Sequence, residues 1–265
     1  MGVYVLSDLH GRHDLFLSML EQIHFSYEDV LYILGDVADR GPDGIKTYQH
    51  IIRQPNITLV AGNHEIMFLA AIKKAEELCG NDSFYFSQEW QLWLMNGGTA
   101  TWTSYLSLPY EERMQLKEYL GNLAAVIPDL RVGRRHFYLC HSTHADRYLD
   151  SVLFCAETSS YEIAHIVWDR IYAAGLSSNA DRASLTEKYH NLYTSYPKGT
   201  TMVFGHTPTI FLNKIGTDGR GRIWRGGHGH LIDIDCGCAV SRAEGAMLGC
   251  LRLDDLAEFY ISGKK

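Results

Sequence analysis

The chain of 265 residues is long enough for one large domain with a substantial core and short for two. Hydrophobic residues make up 46% of it and charged residues 21%, as in an ordinary soluble globular protein. The formal charge of −7 argues against nucleic acid or an anionic membrane as a main partner. It leaves a phosphorylated substrate open, because metals and arginines set the local field of a site.

The N-terminal half alternates strand and helix. Val3–Leu6, Val30–Leu34 and residues 57–61 are apolar, β-branched runs that predict strands, and residues 12–24 and 43–53 predict helices. Leu15, Met19 and Ile23 recur every four residues, giving the first helix one apolar face. Such alternation implies parallel pairing with right-handed crossovers. Another helix is expected from His64 to about Cys79, stopped by Gly80-Asn81-Asp82. Residues 84–125 then become helical and very aromatic, with Trp90, Trp93, Trp102, Tyr105, Tyr110 and Tyr119. A layer packed on the sheet is the first expectation for this insertion, and a lid or substrate-facing wall the second. Residues 136–141 return to strand, and 145–195 are expected to be mainly helical with a loop around Ser177-Ser178-Asn179. The last quarter is mostly β, at Thr201–Phe204, 231–234, 247–253 and 256–261, with Asp254-Asp255 as a hairpin turn, and consecutive strands of this kind favour antiparallel pairing. The expected fold is α/β, with one mixed sheet or two stacked mixed β-sheets flanked by helices, in a single domain over 1–265.

No apolar run is long enough to span a bilayer. Asp8 stands too near the start to leave room for a signal peptide, and Leu6 occupies the place a myristoylation signal gives to Ser or Thr. The six cysteines lack small-domain disulfide spacing, which points to reduced thiols and a cytoplasmic location.

Five short segments each follow a predicted strand and carry metal-ligand chemistry. They are Asp8-Leu9-His10-Gly11, Gly35-Asp36-Val37-Ala38-Asp39-Arg40-Gly41, Gly62-Asn63-His64-Glu65, Leu139-Cys140-His141-Ser142 and Phe204-Gly205-His206-Thr207. Catalytic groups of open α/β sheets collect beyond the carboxyl ends of strands, so the five can meet at one point. Carboxylate, imidazole and amide ligands together suit manganese, iron, zinc or magnesium-like ions, not soft copper. Asp36, central among the motifs, is the candidate bridging ligand. Asp8 and His10 would complete one ion, and Asn63, His141 and His206 the other. Two ions about 3.5–4 Å apart can hold a bridging hydroxide at neutral pH and clamp an in-line displacement. Taken singly, each residue has a blander explanation: Asp8 could cap the helix near Arg12, and a lone histidine on an apolar strand is more often a satisfied core residue. Five at once are hard to explain as caps and packing.

Together these motifs resemble the phosphoprotein-phosphatase branch of the calcineurin-like metallophosphoesterases, and its bacterial and phage members in particular. The family's Asp-x-His-Gly, Gly-Asp-x-x-Asp-Arg-Gly and Gly-Asn-His-Glu stand at 8–11, 35–41 and 62–65, and its two later metal histidines match His141 and His206. The resemblance runs through nearly the whole chain. It implies the family's fold, two divalent metal ions (manganese first, then iron, zinc, nickel or magnesium) and hydrolysis of phosphoserine or phosphothreonine in proteins. His64 would be the general acid that protonates the leaving alkoxide, with Asp39 orienting and charging it. Arg40 would clamp phosphate with a planar fork of donors, helped by Asn63. Arg170, in Trp168-Asp169-Arg170 of a helical stretch, looks like the family's second arginine. Residues 232–237 resemble its closing strand and are expected to be structural. Ser142 and Thr143 replace the small residues many relatives carry after the histidine, and their hydroxyls are expected to bond the backbone. Residues 226–230 read as a glycine-rich turn, not another metal site. Glu65 favours a protein substrate, since relatives that hydrolyse diadenosine tetraphosphate tend to have Asp there. A small nucleotide is the alternative, its purine stacked on aromatics of 84–105. A non-catalytic binding module ranks last, because every ligand position is filled.

Overall fold

Apolar runs become buried strands where both faces can be covered, and the architecture follows from that need. The computed structural model describes residues 1–79, 81–145, 147, 149–170, 199–209, 221–226, 229–240 and 245–263. In chain order the elements are β1 (Val3–Leu6), α1 (His13–Gln22), β2 (Val30–Leu34), α2 (Gly44–Ile52), β3 (Ile57–Val60) and α3 (Asn63–Glu77). The insertion supplies a 3-10 turn (Asp82–Phe86), α4 (Gln88–Met95), α5 (Thr99–Leu106) and α6 (Tyr110–Gly121). There follow β4 (Ala124–Val132), β5 (Arg135–Cys140), β6 (Leu153–Phe154), α7 (Ser160–Trp168), β7 (Thr201–Phe204), β8 (Trp224–Gly226), β9 (Leu231–Asp233), β10 (Met247–Arg252) and β11 (Glu258–Ser262).

The strands form one hydrogen-bonded path in the order β11-β10-β1-β2-β3-β4-β5-β7-β9-β8, with β6 on β4. Two parallel blocks stand in it, β1-β2-β3 and β5-β7-β9. They are joined through the Val60–Ala124 pair, where Ala61 N–H also donates to the Ala124 carbonyl at 2.8 Å. Strand side chains alternate with a period of two, and each set finds its own cover. Val5, Leu34 and Val60 of one block share a layer with Phe137, Leu139, Val203 and Ile232 of the other, so the two halves of the sheet are stacked on each other. Tyr4, Leu6, Leu31, Ile33 and Leu59 point outward onto α1, α2 and α3. Tyr138, Cys140, Met202 and Phe204 meet Ile166 and Val167 of α7. Phe137 is fully buried in the shared layer, so Phe137→Ala should cost about 3–5 kcal/mol, read from the urea midpoint.

Three details depart from the sequence-based expectation. The described residues of 145–159 contain β6 and a 3-10 turn instead of a helix, because Leu153 and Phe154 cover the free edge of β4 and Cys155 N–H bonds the Leu123 carbonyl at 2.9 Å. The helix before Arg170 ends at Trp168, and Asp169 is already extended, so Arg170 lies beyond the helix rather than in it. β9 runs parallel to β7, while β10 and β11 form the expected antiparallel hairpin across Asp254-Asp255. The remainder of the 145–195 expectation, from residue 171 onward and including the 177–179 loop, lies outside the described residues, as do Gly227 and His228 of the glycine-rich turn. No helix among the described residues is long and apolar enough to cross a membrane.

The insertion packs as a layer. Trp93 stacks on Phe68 of α3 with ring centroids 4.8 Å apart, and Trp90, Trp102, Tyr105 and Phe84 close around it. Trp90, Trp93, Trp102, Tyr105 and Phe84 are buried against one another, whereas Tyr85 and Phe86 of the same insertion stay exposed.

Candidate metal centre

Asp8 and His10 follow β1, Asp36 follows β2, Asn63 opens α3 after β3, and His141 and His206 follow β5 and β7. Nine non-glycine residues among those described have a left-handed φ, and six of them lie here: Asp8, His10, Asp36, Asp39, Arg40 and His206. Such conformations are costly for L-residues and concentrate where a site demands a particular side-chain aim. Backbone bonds between the loops enforce them: His10 N–H to the Asp36 carbonyl at 2.8 Å, Gly11 N–H to Val37 at 2.8 Å and Gly205 N–H to His141 at 2.8 Å. Asp8 does not cap α1, whose N-cap is Arg12 without a side-chain bond. Its Oδ2 instead accepts the His206 N–H at 3.0 Å and the Ser7 hydroxyl.

The side chains converge on one buried point. Two triplets of potential ligand atoms lie within 4.8 Å of one another, His10–Asp36–His64 and Asp36–His141–His206, and Asp36 belongs to both. Its Oδ2 is 3.6 Å from His10 Nε2, and its Oδ1 is 3.4 Å from His141 Nε2. Asp8 Oδ1 adds a carboxylate 3.8 Å from His10 Nε2, and Asn63 Oδ1 lies 3.0 Å from His141 Nε2. Gly62 must be glycine for this approach, since a Cβ there would collide with Asp36 Oδ1.

The tautomers show why these residues fit cations. His141 Nδ1 lies 2.7 Å from the Leu34 carbonyl, so it carries the proton and Nε2 is bare. That lone pair faces Asn63 Oδ1 and, at 3.1 Å, His206 Nδ1. His10 is set the same way by the Ala38 carbonyl, 3.2 Å from its Nδ1. Lone pairs gathered at such distances repel unless positive charge stands among them, and hard carboxylates with imidazoles suit a divalent ion. The electrostatics agree. Burial, then the nearby His64 and Arg40, keep His10 well below its ordinary pKa, as a neutral ligand requires. Burial also lowers His206, followed by His141 and Arg170. Burial pushes Asp36 well above the usual carboxylate range despite His64, with Asp8 adding to the rise; a cation would reverse that.

His64 Nδ1 lies 2.6 Å from Asp39 Oδ2, so the pair expected from sequence is in place with Nε2 turned toward the centre. Burial alone would lower the His64 pKa, but Asp36 and Asp39 outweigh it and raise it. Arg40 folds over the mouth, its guanidinium 2.9 Å from His10 Nε2 and 3.1 Å from His64 Nε2. Arg170 stands at the other end, donating to the His206 carbonyl at 3.0 Å and the Thr207 hydroxyl at 3.3 Å. Ser142 bonds the Asp169 carbonyl as expected, whereas the buried Thr143 hydroxyl has no partner among the described residues. Residues 232–237 hold their own turn, with Asp235 N–H on Asp233 and Gly237 N–H on Asp235.

Sequence reasoning missed three supports. Glu65, read as a substrate clue, is a buried hub: its carboxylate accepts Asp36 N–H at 2.8 Å, Val37 N–H at 2.9 Å, Gly62 N–H at 2.9 Å and the Tyr48 hydroxyl at 2.7 Å. It ties the Asp36 loop to the start of α3 and has no lone pair turned to a substrate. Tyr48→Phe should therefore cost about 1.5–3 kcal/mol by urea unfolding, the worth of a hydrogen bond to a charged group. Trp93 and Thr101 of the insertion both bond Asp39. The signal for them was Gly97-Gly98 closing a tight turn between two aromatic helices.

Comparison with known proteins agrees with this geometry. The family described as Calcineurin-like phosphoesterase matches residues 1–231. Serine/threonine-protein phosphatase 2 of Salmonella typhimurium is 26% identical over 223 residues, 82% of this chain and 86% of that protein. The symmetrical bis(5'-nucleosyl)-tetraphosphatase of Wigglesworthia glossinidia brevipalpis is 43% identical over 82 residues, which span 29% of this chain and only 30% of the relative. A solved structure described as a candidate diadenosine tetraphosphatase shares the fold, with a TM-score of 0.58 at 19% identity over 99% of this chain and 94% of that one. The chain belongs to the calcineurin-like phosphoesterases, as a hydrolytic enzyme whose phosphatase-named relatives support its phosphoprotein-phosphatase branch.

Proposed function

We propose that this enzyme hydrolyses phosphoserine and phosphothreonine in proteins at a centre built for two divalent ions, manganese first among them. One observation carries the phosphoesterase chemistry: Asp36 is shared by both ligand triplets, and the His64–Asp39 pair is aimed at the same point. The protein substrate is supported by the likeness to serine/threonine-protein phosphatase 2 over 82% of the chain. Asp8, His10 and Asp36 serve one ion, and Asp36, Asn63, His141 and His206 the other. Bound there, the ions supply Lewis acidity and activate water at neutral pH. Arg40 leaves its histidine contacts to grip phosphate oxygens as a planar fork, with Arg170 and Asn63 holding the opposite side. His64 gives its Nε2 proton to the leaving oxygen while Asp39 keeps Nδ1–H in place. Arg40→Lys should lower kcat/KM by roughly 10- to 100-fold, the loss of one charge-assisted hydrogen bond of about 1.5–3 kcal/mol. The free thiols support a cytoplasmic setting for this activity.

The deciding measurement is a kinetic panel of phosphopeptides, p-nitrophenyl phosphate and diadenosine tetraphosphate with Mn²⁺, Fe²⁺, Zn²⁺, Ni²⁺ and Mg²⁺. A small nucleotide remains the second substrate class, favoured by the 43% identity to the nucleosyl-tetraphosphatase over 82 residues. A much larger kcat/KM for the nucleotide would overturn the protein-substrate assignment. No hydrolysis of any substrate with any metal would overturn both.

A further inference from the structure

The acid pair is held from behind by the insertion. Trp93 Nε1 on α4 donates to Asp39 Oδ2 at 2.6 Å, the same oxygen that His64 Nδ1 approaches. The Thr101 hydroxyl on α5 donates to Asp39 Oδ1 at 2.6 Å, and accepts the backbone N–H of Asp39 at 3.0 Å. His64, Asp39, Trp93 and Thr101 are all at most 2% exposed. Bonds in so dry a place are strong and directional.

The insertion is itself locked to the site. The Trp93 indole stacks on Phe68, which sits one helical turn beyond His64 on α3. A Cβ at Gly98 would collide with the Trp93 ring, so the turn between α4 and α5 closes directly on the indole. Gly97, at φ +98°, uses its carbonyl to accept the Arg40 N–H at 3.1 Å. Asp39 and Arg40 both have left-handed φ, and these contacts hold that conformation in place.

We propose that Trp93 and Thr101 are positioning residues for the general acid. They fix the plane of the Asp39 carboxylate, so that His64 presents Nε2–H to the leaving oxygen, and they satisfy Asp39 with two neutral donors so that the His64 proton is not drawn onto it. Neither touches substrate. The proposal rests on the phosphomonoesterase assignment above. In the step concerned, a water molecule loses a proton and forms a new P–O bond, the ester P–O bond breaks with its electron pair on the leaving oxygen, and that oxygen takes the Nε2 proton and leaves His64 neutral.

The test separates proton donation from everything else by varying the leaving group. Phenyl phosphate expels a basic oxyanion that needs the proton, whereas dinitrophenyl phosphate expels one that does not. Trp93→Phe keeps the ring stack and removes the N–H; Thr101→Val keeps the shape and removes the hydroxyl. Each should lower kcat on phenyl phosphate by roughly 10- to 100-fold, part of the 10²–10⁴ that a general acid contributes. On dinitrophenyl phosphate kcat should stay within about twofold, with KM steady on both esters and Thr101→Ser restoring the phenyl phosphate rate. Equal losses on the two esters would mean a merely structural role and overturn the proposal, as would no loss on either. If Trp93→Phe does not fold, judged by circular dichroism, Thr101→Val and Thr101→Ser decide alone. Wild-type enzyme inactive on both esters would overturn the phosphomonoesterase assignment itself, and this proposal with it.

Discussion

His64→Asn should lower kcat on alkyl phosphates by about 10²–10⁴-fold, the usual contribution of a general acid, while the protein still binds its metals. The geometry makes the outcome informative, because His64 stands in two relations at once. Its Nδ1 is 2.6 Å from Asp39, as an oriented acid requires, yet its Nε2 lies 3.8 Å from Asp36 Oδ2 within a potential ligand triplet. Metal content per chain, measured by elemental analysis, separates the two roles. An acid leaves the count at about two ions with chemistry slowed. A drop of one ion per chain in the variant would make His64 a ligand and sink the assigned role. Asparagine is the right probe, since its amide can still meet Asp39 without transferring a proton.

Asp36→Asn should have the largest effect of any single exchange, removing both ions and measurable turnover together. Asp36 is the one residue common to the two triplets, whereas His10 or His141 serves only one. Burial already pushes Asp36 far above its ordinary pKa, so a neutral amide of the same shape relieves a desolvation cost in the metal-free chain. The variant should therefore unfold without metal no earlier than the wild type, and gain nothing when Mn²⁺ is added. Wild type should gain, because a ligand that binds only the folded chain at 100 times its Kd stabilises by about 2.7 kcal/mol. Retention of both ions in the variant would refute the bridging assignment.

The residues that meet at the centre were legible because each sits at the end of an apolar run, and strand ends are where such sheets gather ligands. Elements with strong periodicity were legible for the same reason: β1, β2, α1 and α3 fall close to their expected bounds. Three things were not. That the two parallel blocks are stacked and yet belong to one hydrogen-bonded sheet turned on a single pair, Val60–Ala124, which no local pattern announces. The edge strand β6 is two residues long and exists only because β4 offers unpaired groups. The supports of the acid pair were hidden by their residue types. Trp93 reads as core and Thr101 belongs to no motif until the fold brings them to Asp39, and Glu65 served only as a clue to substrate class until its four donors were in view.

The left-handed residues around the centre carry a cost for the rest of the molecule. Each of the six is held against a preference of about 1–2 kcal/mol, in a chain whose whole margin is expected to be about 5–15 kcal/mol. Glycine at such positions would relax the loops and discard a ligand, the acid's partner or the phosphate clamp in the same exchange. Heat tolerance and catalysis therefore compete at the same positions, and a screen for thermal survival alone would drift toward an inert protein. Gains that spare the activity are to be sought elsewhere, in the layer between the stacked halves of the sheet.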